Sequence, residues 1–428
     1  MANIFIYDEF NPEDVSMMQA LYSRSPKSVT EHAAKVKKTG SGKFMETFYV
    51  GYGHASIADC GSTTVFIEKI SILGDKAIQD WQLYSGQETS TRYIDMSKQP
   101  IIDPLGSIAS KDIQAGWMEF YISNQEKIQQ YLQKKYPRKE GEAEGVYDKA
   151  IKARCFDTMR GFLPAGVATQ LSWHTNLRQA WDHLALLRYH PLEEVRETAK
   201  SILIKLKEKY SHSFSHELLP EQEKYRQSIV REYTYFQNSP VDFSMSSNIN
   251  AEELEKYRTI LDSRPAKTGL PNFLGDLGTI TFDFVLDFGS FRDIQRHRNG
   301  ICRMPLLTSS LGFNPWYLEQ LPEDMRTQAD KLITEQKIAI DALSCPPEIK
   351  QYYLAIGFNV ACHFTFPLPA AVYVIELRSN RTVHPTLRAV AHKMHQAMTR
   401  SFPNLKLHSD LNPDDWDVRR GLADIVEK

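Results

Sequence analysis

Cysteine is scarce in this chain of 428 residues, and its five cysteines are scattered at Cys60, Cys155, Cys302, Cys345 and Cys362. Their number is odd and no two of them form a C-x-x-C pair, so neither a disulfide framework nor a zinc site is indicated. We therefore expect no metal site and a reducing compartment, which predicts a cytoplasmic protein.

The chain also lacks an excess of either charge and has no long apolar run. Lysine and arginine number 51 against 53 aspartates and glutamates, a formal net charge of -2, which argues against a protein that mainly holds a nucleic-acid backbone. The first residues, Met1 to Asp8, carry an acidic side chain where a signal peptide would be basic. We expect a soluble protein with neither a nucleic-acid nor a membrane partner.

Apolar residues make up 42% of the chain, which is enough for a large core. Its length is sufficient for about two or three domains. A segment rich in turn formers, Gln237 to Asn250, predicts a boundary between domains at 1–236 and 237–428. The polar stretch Lys134 to Gly145 predicts an exposed loop. Strand and helix patterns together predict a helix-rich α+β fold, with a mainly antiparallel sheet and long packed helices in each half.

The same plan recurs on both sides of the boundary. Residues 63–71 read as a strand that leads into a helix around 77–81, and residues 279–285 lead into 291–298 in the same way. An offset of 216 residues (296 minus 80) superposes Thr63 on Thr279 and Gln79 on Gln295. Apolar spacing further predicts long helices within 154–188 and, within 364–398, a helix through Arg378 that is followed by a loop and another helix. The pattern makes a duplication plausible.

The triplet Arg296-His297-Arg298 follows the second of these segments. Two guanidiniums can hold a phosphate or a uracil carbonyl in a fixed fork, and a histidine between them adds a third donor that can titrate. A solvated basic patch is the alternative that the triplet alone leaves open. The chain therefore has one strong local candidate for an anion site.

The first half contains two dense polar motifs. Gly51 to Asp59 offers His54, Ser56 and Asp59 beside glycines, which permit close approach of a ligand to the backbone. Ser85 to Tyr93 places Glu88, Ser90 and Arg92 within nine positions, a set that could present hydroxyl, N–H and guanidinium groups to a phosphate. Each motif alone could equally be a polar turn.

Together these motifs resemble the flavin-dependent thymidylate synthases, the ThyX family. The first half has Gly53-His54-x-Ser56-x-x-Asp59, then Ser85-x-x-Glu88-x-Ser90-x-Arg92-Tyr93, then Arg160-x-x-Leu163-Pro164 and Asn176-x-Arg178, in the order and spacing of that family. The family's basic triplet is missing there, because Asp80, Trp81 and Gln82 occupy its place. Asp59 also replaces a glutamate of the family pattern.

The second half has the opposite defect. It retains Arg296-His297-Arg298 and the late helical Glu376-Leu377-Arg378, but Ile301 and the residues after it replace the family's serine-rich motif. The resemblance is therefore strong over residues 40 to 230 and weak over 265 to 400. We interpret the chain as two ThyX-like copies that have each kept the part of one composite site that the other lost.

The resemblance implies a reductive methylation of dUMP to dTMP with FAD as cofactor and NADPH and methylene-tetrahydrofolate as co-substrates. Arg160 and Arg296 are the implied catalytic, base-facing residues, and the implied substrate-binding set is Glu88, Ser90, Arg92, Arg160, Arg296 and Arg378. The implied FAD-binding set is His54, Ser56, Asp59, Asn176, Arg178, His297 and Arg298. A homodimer would then mimic the family's tetramer.

Two other functions remain open at this point. The first is a flavin-dependent one-carbon transfer to another uracil nucleotide, and the second is an inactive nucleotide-binding relative with a regulatory or scaffold role. His384, His392 and His395 are interpreted as surface or helix-capping residues, because no carboxylate lies at a fitting place for a metal.

Overall fold

The computed structural model describes residues 9–236, 240–416 and 419, so the N-terminal segment Met1 to Asp8 considered above lies outside the described residues. The chain packs into two compact units. The first comprises Met1–Glu68, Leu83–Glu88 and Gln170–Thr234, and the second comprises Lys69–Gln82, Thr89–Thr169 and Tyr235–Lys428. These units are built from several chain segments and do not coincide with the two predicted copies. The division into copies at residue 236 therefore stays a prediction.

The strands of the described residues, in chain order, are β1 (Ser62–Ser71), β2 (Ser85–Glu88), β3 (Ala168–Asn176), β4 (Phe243–Ser247), β5 (Thr279–Asp287), β6 (Ile301–Cys302) and β7 (Asn359–Pro367).

The α-helices, in chain order, are α1 (Pro12–Tyr22), α2 (Val29–Thr39), α3 (Gly42–Phe44), α4 (Ser56–Asp59), α5 (Ile72–Gln79), α6 (Ile108–Ser123), α7 (Gln125–Lys135), α8 (Glu144–Met159), α9 (Leu177–Leu187), α10 (Glu193–Lys209), α11 (Pro220–Tyr233), α12 (Ala251–Glu255), α13 (Arg258–Ser263), α14 (Phe288–Ile294), α15 (Pro315–Glu319), α16 (Glu323–Asp341), α17 (Pro347–Lys350), α18 (Leu368–Arg378) and α19 (Pro385–Ser401). Short 3₁₀ turns occupy Arg160–Phe162, Asn272–Leu277 and Gln351–Tyr353, and a π-helical segment spans Met45–Gly51.

The predicted α+β class is confirmed, with antiparallel pairing in the sheets. Among the described residues of the first unit, the strand order is β1-β3-β2, and in the second unit it is β4-β5-β7-β6. In the central pair of the second sheet, Thr279 lies opposite Pro367 and Asp287 opposite Asn359. Buried Ile280, Phe282 and Phe284 alternate with half-buried residues along β5, so one face of this sheet packs on the core.

Both predicted strand-to-helix junctions are present, and each has its own helix cap. The hydroxyl of Ser71 accepts a hydrogen bond from the Gly74 N–H, and the carboxylate of Asp287 accepts one from the Ser290 N–H. A capping side chain satisfies one of the free donors at the start of a helix. Ser71 and Asp287 are 216 residues apart, the offset at which the sequence suggested a repeat.

A second correspondence, at an offset of 191 residues, relates the later parts of the two predicted copies. The turn at Arg160–Phe162, strand β3 and helix α9 have the same lengths as the turn at Gln351–Tyr353, strand β7 and helix α18. This exact match of bounds is what a duplicated module would produce.

Two backbone hydrogen bonds of the second unit are related by the offset of 191 residues. Ala165 N–H donates to Leu354 O, and the equivalent Ile356 N–H donates to Leu163 O, each over 2.8 Å. The segments thus pair with each other about a local pseudo-twofold axis. Because this pairing uses main-chain groups, it survives divergence of the side chains.

Glycine is required where these two segments meet. A Cβ on Gly166 would lie 2.7 Å from the Ile102 O, and a Cβ on its equivalent Gly357 would lie 2.6 Å from the Gly161 O. Both positions therefore need a residue without a side chain, because the neighbouring atoms are main chain and cannot rotate away.

Three sequence expectations need correction here. Leu171 to Asn176, expected within a long helix, form the end of strand β3, where alternate residues such as Leu171 and Trp173 are buried. Burial here alternates with the period of two that is typical of a strand, whereas the spacing of apolar residues in the following segment is helical. The helix expected around 77–81 instead runs from Ile72 to Gln79 and ends before Asp80.

The third correction concerns the expected boundary segment Gln237 to Asn250. Residues 237–239 lie outside the described residues, but Phe243–Ser247 form β4 and pair with β5, with Phe243 opposite Phe284. The serines that suggested a connector lie on an edge strand. By contrast, the predicted loop near 134–145 is confirmed, because α7 ends at Lys135 and α8 begins at Glu144.

The membrane and metal questions can be stated for the described part of the chain. There, no helix combines the length and apolarity that crossing a bilayer needs. The same residues contain no group of three or more histidine, cysteine, aspartate or glutamate side chains placed to hold a metal ion.

Candidate functional site

Four predicted substrate-binding arginines converge in the second unit. They come from the loop after β2, the turn after α8, the segment after α14 and the last residue of α18, and we call them the arginine cluster: Arg92, Arg160, Arg296 and Arg378. The carboxylate of Asp293 lies within the electrostatic reach of all four. Two members belong to each predicted copy, so the second unit brings both halves of the predicted set together.

Asp293 is the focus of the arginine cluster. Burial would raise the pKa of this carboxyl, but the positive charges of the cluster outweigh burial and hold the pKa well below its usual range. Oδ2 of Asp293 lies 3.6 Å from Nη1 of Arg160, and the main-chain oxygen of Asp293 accepts a hydrogen bond from Nη2 of Arg378. Asp293 is therefore ionised at neutral pH.

Arg92 is held by a second carboxylate. Its Nε and Nη2 donate to Oδ1 and Oδ2 of Asp157 over 2.7 and 3.0 Å, and Nη2 also donates to the main-chain oxygen of Thr382. A bidentate pair of this kind fixes the plane of the guanidinium. The hydroxyl of Ser90 accepts a hydrogen bond from the Arg92 N–H, so these two predicted phosphate ligands are adjacent.

Arg160 is the most enclosed member of the arginine cluster, with an exposed fraction of 1%. Its Nη2 donates to the Ser290 hydroxyl over 2.8 Å, and its Nε donates to the Tyr317 hydroxyl over 3.4 Å. Asp287 lies 3.9 Å away and accepts from Tyr317 over 2.8 Å. Burial would lower the pKa of Arg160, but Tyr317, Asp293 and Asp287 together raise it. Arg160 thus stays charged in the protein interior.

His384 extends this buried network and corrects an expectation. It immediately precedes α19, near a helix end as expected, but it is fully buried rather than on the surface. Its Nδ1 lies 2.8 Å from the Thr386 hydroxyl, which lies 2.7 Å from that of Ser290. Burial lowers the pKa of His384 well below its usual value, so the ring is neutral. His392 and His395 instead bond to the Asp410 main chain and the Ser409 hydroxyl.

His297 also differs from its expected role. Its Nε2 accepts a hydrogen bond of 2.7 Å from Nε of Arg378, so that nitrogen carries no proton. Burial, followed by the charges of Arg378 and other neighbouring arginines, lowers the pKa of His297 to about 3. The sequence suggested a titrating donor, whereas the ring is a neutral acceptor that orients Arg378.

The other two members of the triplet are partly exposed. Nε of Arg298 donates to the main-chain oxygen of Arg296 over 3.3 Å, so the chain turns back on itself after α14. Both side chains are half-buried. Their side chains are thus less enclosed than that of Arg160.

Five predicted cofactor residues lie in the first unit and are brought close together. Nε of Arg178 donates to Oδ1 of Asp59 over 2.8 Å, and Nη1 donates to Asp182 over 3.3 Å. Asn176 accepts from the Gln179 N–H and caps α9, which is a structural reason for an asparagine at this position. The Asp59–Arg178 pair is about one-third exposed and accessible to a ligand.

The remaining predicted residues of the first unit lie on short elements. Ser56 is the first residue of α4, and Glu88 is the last residue of β2, opposite Leu171. His54 is exposed, with the rings of Phe48 and Tyr52 about 6 Å from its own. An imidazole beside aromatic rings gives this unit a surface suited to a planar ligand.

Four residues of the site were missed by the sequence analysis: Asp157, Asp287, Asp293 and Tyr317. Asp287 and Asp293 had a usable signal, because Asp287 caps the helix that leads to the triplet and Asp293 lies in its last turn. Asp157 lies three residues before Arg160, on the helix that precedes it. Tyr317 lies far from every motif in sequence and had no signal.

Comparison with known proteins agrees with the resemblance read from the motifs. Residues 7–210 match the model of a family described as thymidylate synthase complementing protein. The chain is therefore similar to the thymidylate synthase complementing protein family over just under half of its length. The matched segment contains the motifs from His54 to Arg178. Two members of the arginine cluster, Arg92 and Arg160, also lie in it.

Two more distant similarities extend beyond residues 7–210. A UPF0159 protein of Chlamydia muridarum (strain MoPn / Nigg) is 23% identical over 416 residues, covering 83% of this chain and 78% of its own length. Another, of Thermoplasma acidophilum, is 22% identical over 471 residues, covering 92% and 94%. These alignments are too long to fit within residues 1–236, so the relatives also resemble the second predicted copy.

Proposed function

We propose that the chain is a flavin-dependent thymidylate synthase that methylates dUMP to dTMP, with methylene-tetrahydrofolate as carbon donor and NADPH as reductant. The observation that carries this proposal is the arginine cluster. Its members were selected from two separate halves of the sequence, and they lie around one carboxylate within the second unit. A chance set of four arginines would not be expected to converge in this way.

In this reaction the protein's own contribution is positioning and electrostatics. Half-buried Arg296 is the residue that we assign to the pyrimidine carbonyl, where negative charge develops, and Arg378, Arg92 and Ser90 are assigned to the nucleotide phosphate. Loss of one such donor costs on the order of 3 kcal/mol in the barrier. The flavin, when bound, supplies the hydride chemistry.

We assign a positioning role to Arg160, whereas the sequence predicts a catalytic role in contact with the base. Direct contact with the base would require its buried guanidinium to open to the ligand. Its bonds to Ser290 and Tyr317 favour a positioning role, in which it holds Asp293 and the start of α14 in place. Direct contact of Arg160 with the base stays a prediction.

The residues of the first unit fit part of a flavin nucleotide. The Asp59 carboxylate can accept from hydroxyl groups, and the exposed rings near His54 suit a planar system. Asp59 and Asp182 outweigh the single charge of Arg178, so this group alone does not favour a diphosphate. Of the two predicted cofactor residues in the second unit, Arg298 is the charged one, since His297 is neutral.

A second candidate is a relative that binds a nucleotide without catalysing its methylation. The observation that favours it is that carboxylates already occupy the guanidiniums: Asp157 is bound to Arg92, and Asp293 lies within the arginine cluster. In this case, ligand binding would serve regulation or scaffolding.

Spectroscopy and a dTMP assay separate the candidates. The synthase is expected to show a flavin absorption band after reconstitution with FAD, and to form dTMP from dUMP, methylene-tetrahydrofolate and NADPH. Arg296→Ala should reduce dTMP formation by at least about a hundredfold, whereas Asp80→Ala, at the equivalent position of the first copy, should not. Flavin binding without dTMP, or nucleotide binding without flavin, would favour the second candidate.

A further inference from the structure

The carboxylate of Asp293 differs from the neighbouring carboxylates in its hydrogen bonding. Asp157 forms a bidentate pair with Arg92, and Asp287 accepts hydrogen bonds from Tyr317 and from the Ser290 N–H. Oδ2 of Asp293 makes no hydrogen bond to any described residue, although it is buried. This oxygen is therefore held by charge rather than by a hydrogen-bond partner.

The Asp293 carboxylate is the anion on which the charges of the arginine cluster act. Its Oδ2 lies 3.6 Å from Arg160, which is close enough for ionic attraction but longer than a hydrogen bond. The side chain is 20% exposed, so it lies at the boundary between the buried network and the solvent. The positive charges of the other three arginines of the cluster also act on this carboxyl and lower its pKa.

We propose that Asp293 limits the negative charge that the site accepts, because its carboxylate competes with the phosphate of a nucleotide for the arginine cluster. This inference rests on the proposed function to the extent that it treats the cluster as the phosphate site. It makes Asp293 a specificity-determining residue. The ligand-free protein keeps its guanidiniums together around an internal anion, and a dianionic ligand binds against the repulsion of that anion.

The neutral isostere tests this directly. Asp293→Asn keeps the size of the side chain and removes its charge, and the atom involved has no hydrogen bond to lose. We expect the variant to bind dUMP at least about tenfold more tightly by isothermal titration calorimetry, since a like charge within a few ångström is removed. Inorganic phosphate should gain affinity in the same direction. Deoxyuridine, which has no phosphate, should bind both proteins equally.

The matched control is Asp330→Asn on the exposed face of α16, which changes the net charge equally at a distant place. It should leave dUMP affinity as in the unaltered chain. Equal tightening in both variants would overturn the proposal, because the effect would then be one of overall charge. Unchanged or weaker binding of dUMP by a folded Asp293→Asn protein, or no binding by either protein, would overturn it as well.

The outcome is separable from that of the proposed function. Affinity is measured without flavin, folate or reductant, so the charge effect can appear in a protein that forms no dTMP. Conversely, a protein that forms dTMP and shows no gain in affinity on Asp293→Asn would retain the proposed function and lose this inference.

Discussion

Nε of Arg378 donates a hydrogen bond of 2.7 Å to Nε2 of His297, and this pair joins helix α18 to the basic triplet after α14. The bond needs a lone pair on Nε2, so protonation of His297 would replace an attraction with a repulsion. The fold therefore uses a neutral histidine to place a cation, and the pair should be sensitive to acid.

Acid should destabilise the protein through His297. Its pKa is about 3 in the folded chain and near 6.5 when unfolded, so the unfolded state binds more protons between these values. The stabilisation is complete above pH 6.5 and is lost as the pH falls towards 3. Between pH 7.5 and 5 this one group should account for a decrease of about 2 kcal/mol in the free energy of unfolding.

His297→Gln isolates that contribution, because the amide oxygen can still accept from Arg378 and does not titrate. Urea unfolding at the two pH values should show a drop smaller by about 2 kcal/mol in this variant. His54→Gln, at an exposed position, is the matched control and should keep the drop of the unaltered chain. An identical pH dependence in His297→Gln and the unaltered chain would contradict the assignment of a neutral ring.

Arg160 should matter more for stability than any surface arginine. Arg160→Met would leave the fully buried Asp287 without its cation, and breaking a buried pair from one side costs about 3–5 kcal/mol. Denaturant unfolding measures this loss. The double variant Arg160→Met/Asp287→Asn should recover part of it, because the uncompensated charge is gone.

Arg231→Met provides the comparison for Arg160. That side chain is 76% exposed on α11, so its replacement should change the free energy of unfolding by less than about 0.5 kcal/mol. Equal and small changes in the free energy of unfolding for Arg160→Met and Arg231→Met would contradict this prediction. The buried network around Tyr317 would then not stabilise the fold.

Much of this arrangement could be predicted from the sequence, and the reasons are local. Each strand-to-helix junction has a capping residue, Ser71 or Asp287, and the motif spacing selected the four arginines. The partners of those arginines could not be predicted in the same way. Tyr317 is 157 residues from Arg160 along the chain, and the neutral state of His297 depends on burial, which a motif does not encode.

Long apolar segments were the other source of error. Leu171 to Arg188 contains both a strand end and a helix, and helical spacing in the second part concealed alternation in the first. Asn176, read as a cofactor ligand, is also the helix cap that marks the change. A capping side chain within a periodic run is thus a signal that one element has ended and another begins.

Close packing about the pseudo-twofold axis should make Gly357 irreplaceable. In Gly357→Ala the new Cβ would lie 2.4 Å from Cζ of Phe313 and 2.6 Å from the Gly161 O, so the backbone or ring must shift. Overpacking of this kind costs about 1–3 kcal/mol, measurable by urea unfolding. Gly145→Ala is the matched control: it lies within α8 with open space around it, and a gain of about 0.5–1 kcal/mol is expected.

The pseudo-twofold arrangement also predicts the number of ligands bound per chain. At the offsets of 216 and 191 residues, Arg296 corresponds to Asp80 and Arg160 to Gln351, so the related location has lost the cations of the arginine cluster. Gln351 is fully engaged, accepting from the Leu307 N–H and donating to the Glu348 O, each over 3.0 Å. A phosphate has no corresponding charge to bind there.

We therefore expect isothermal titration calorimetry of the full chain with dUMP to give one equivalent of nucleotide per chain. Arg296→Ala should abolish that single binding event, and Asp80→Ala should leave both affinity and stoichiometry unchanged. Two equivalents per chain, with one of them persisting in Arg296→Ala, would mean that the related location still binds nucleotide without guanidiniums. The complementary loss of residues between the two copies would then not explain why the second half of the chain is kept.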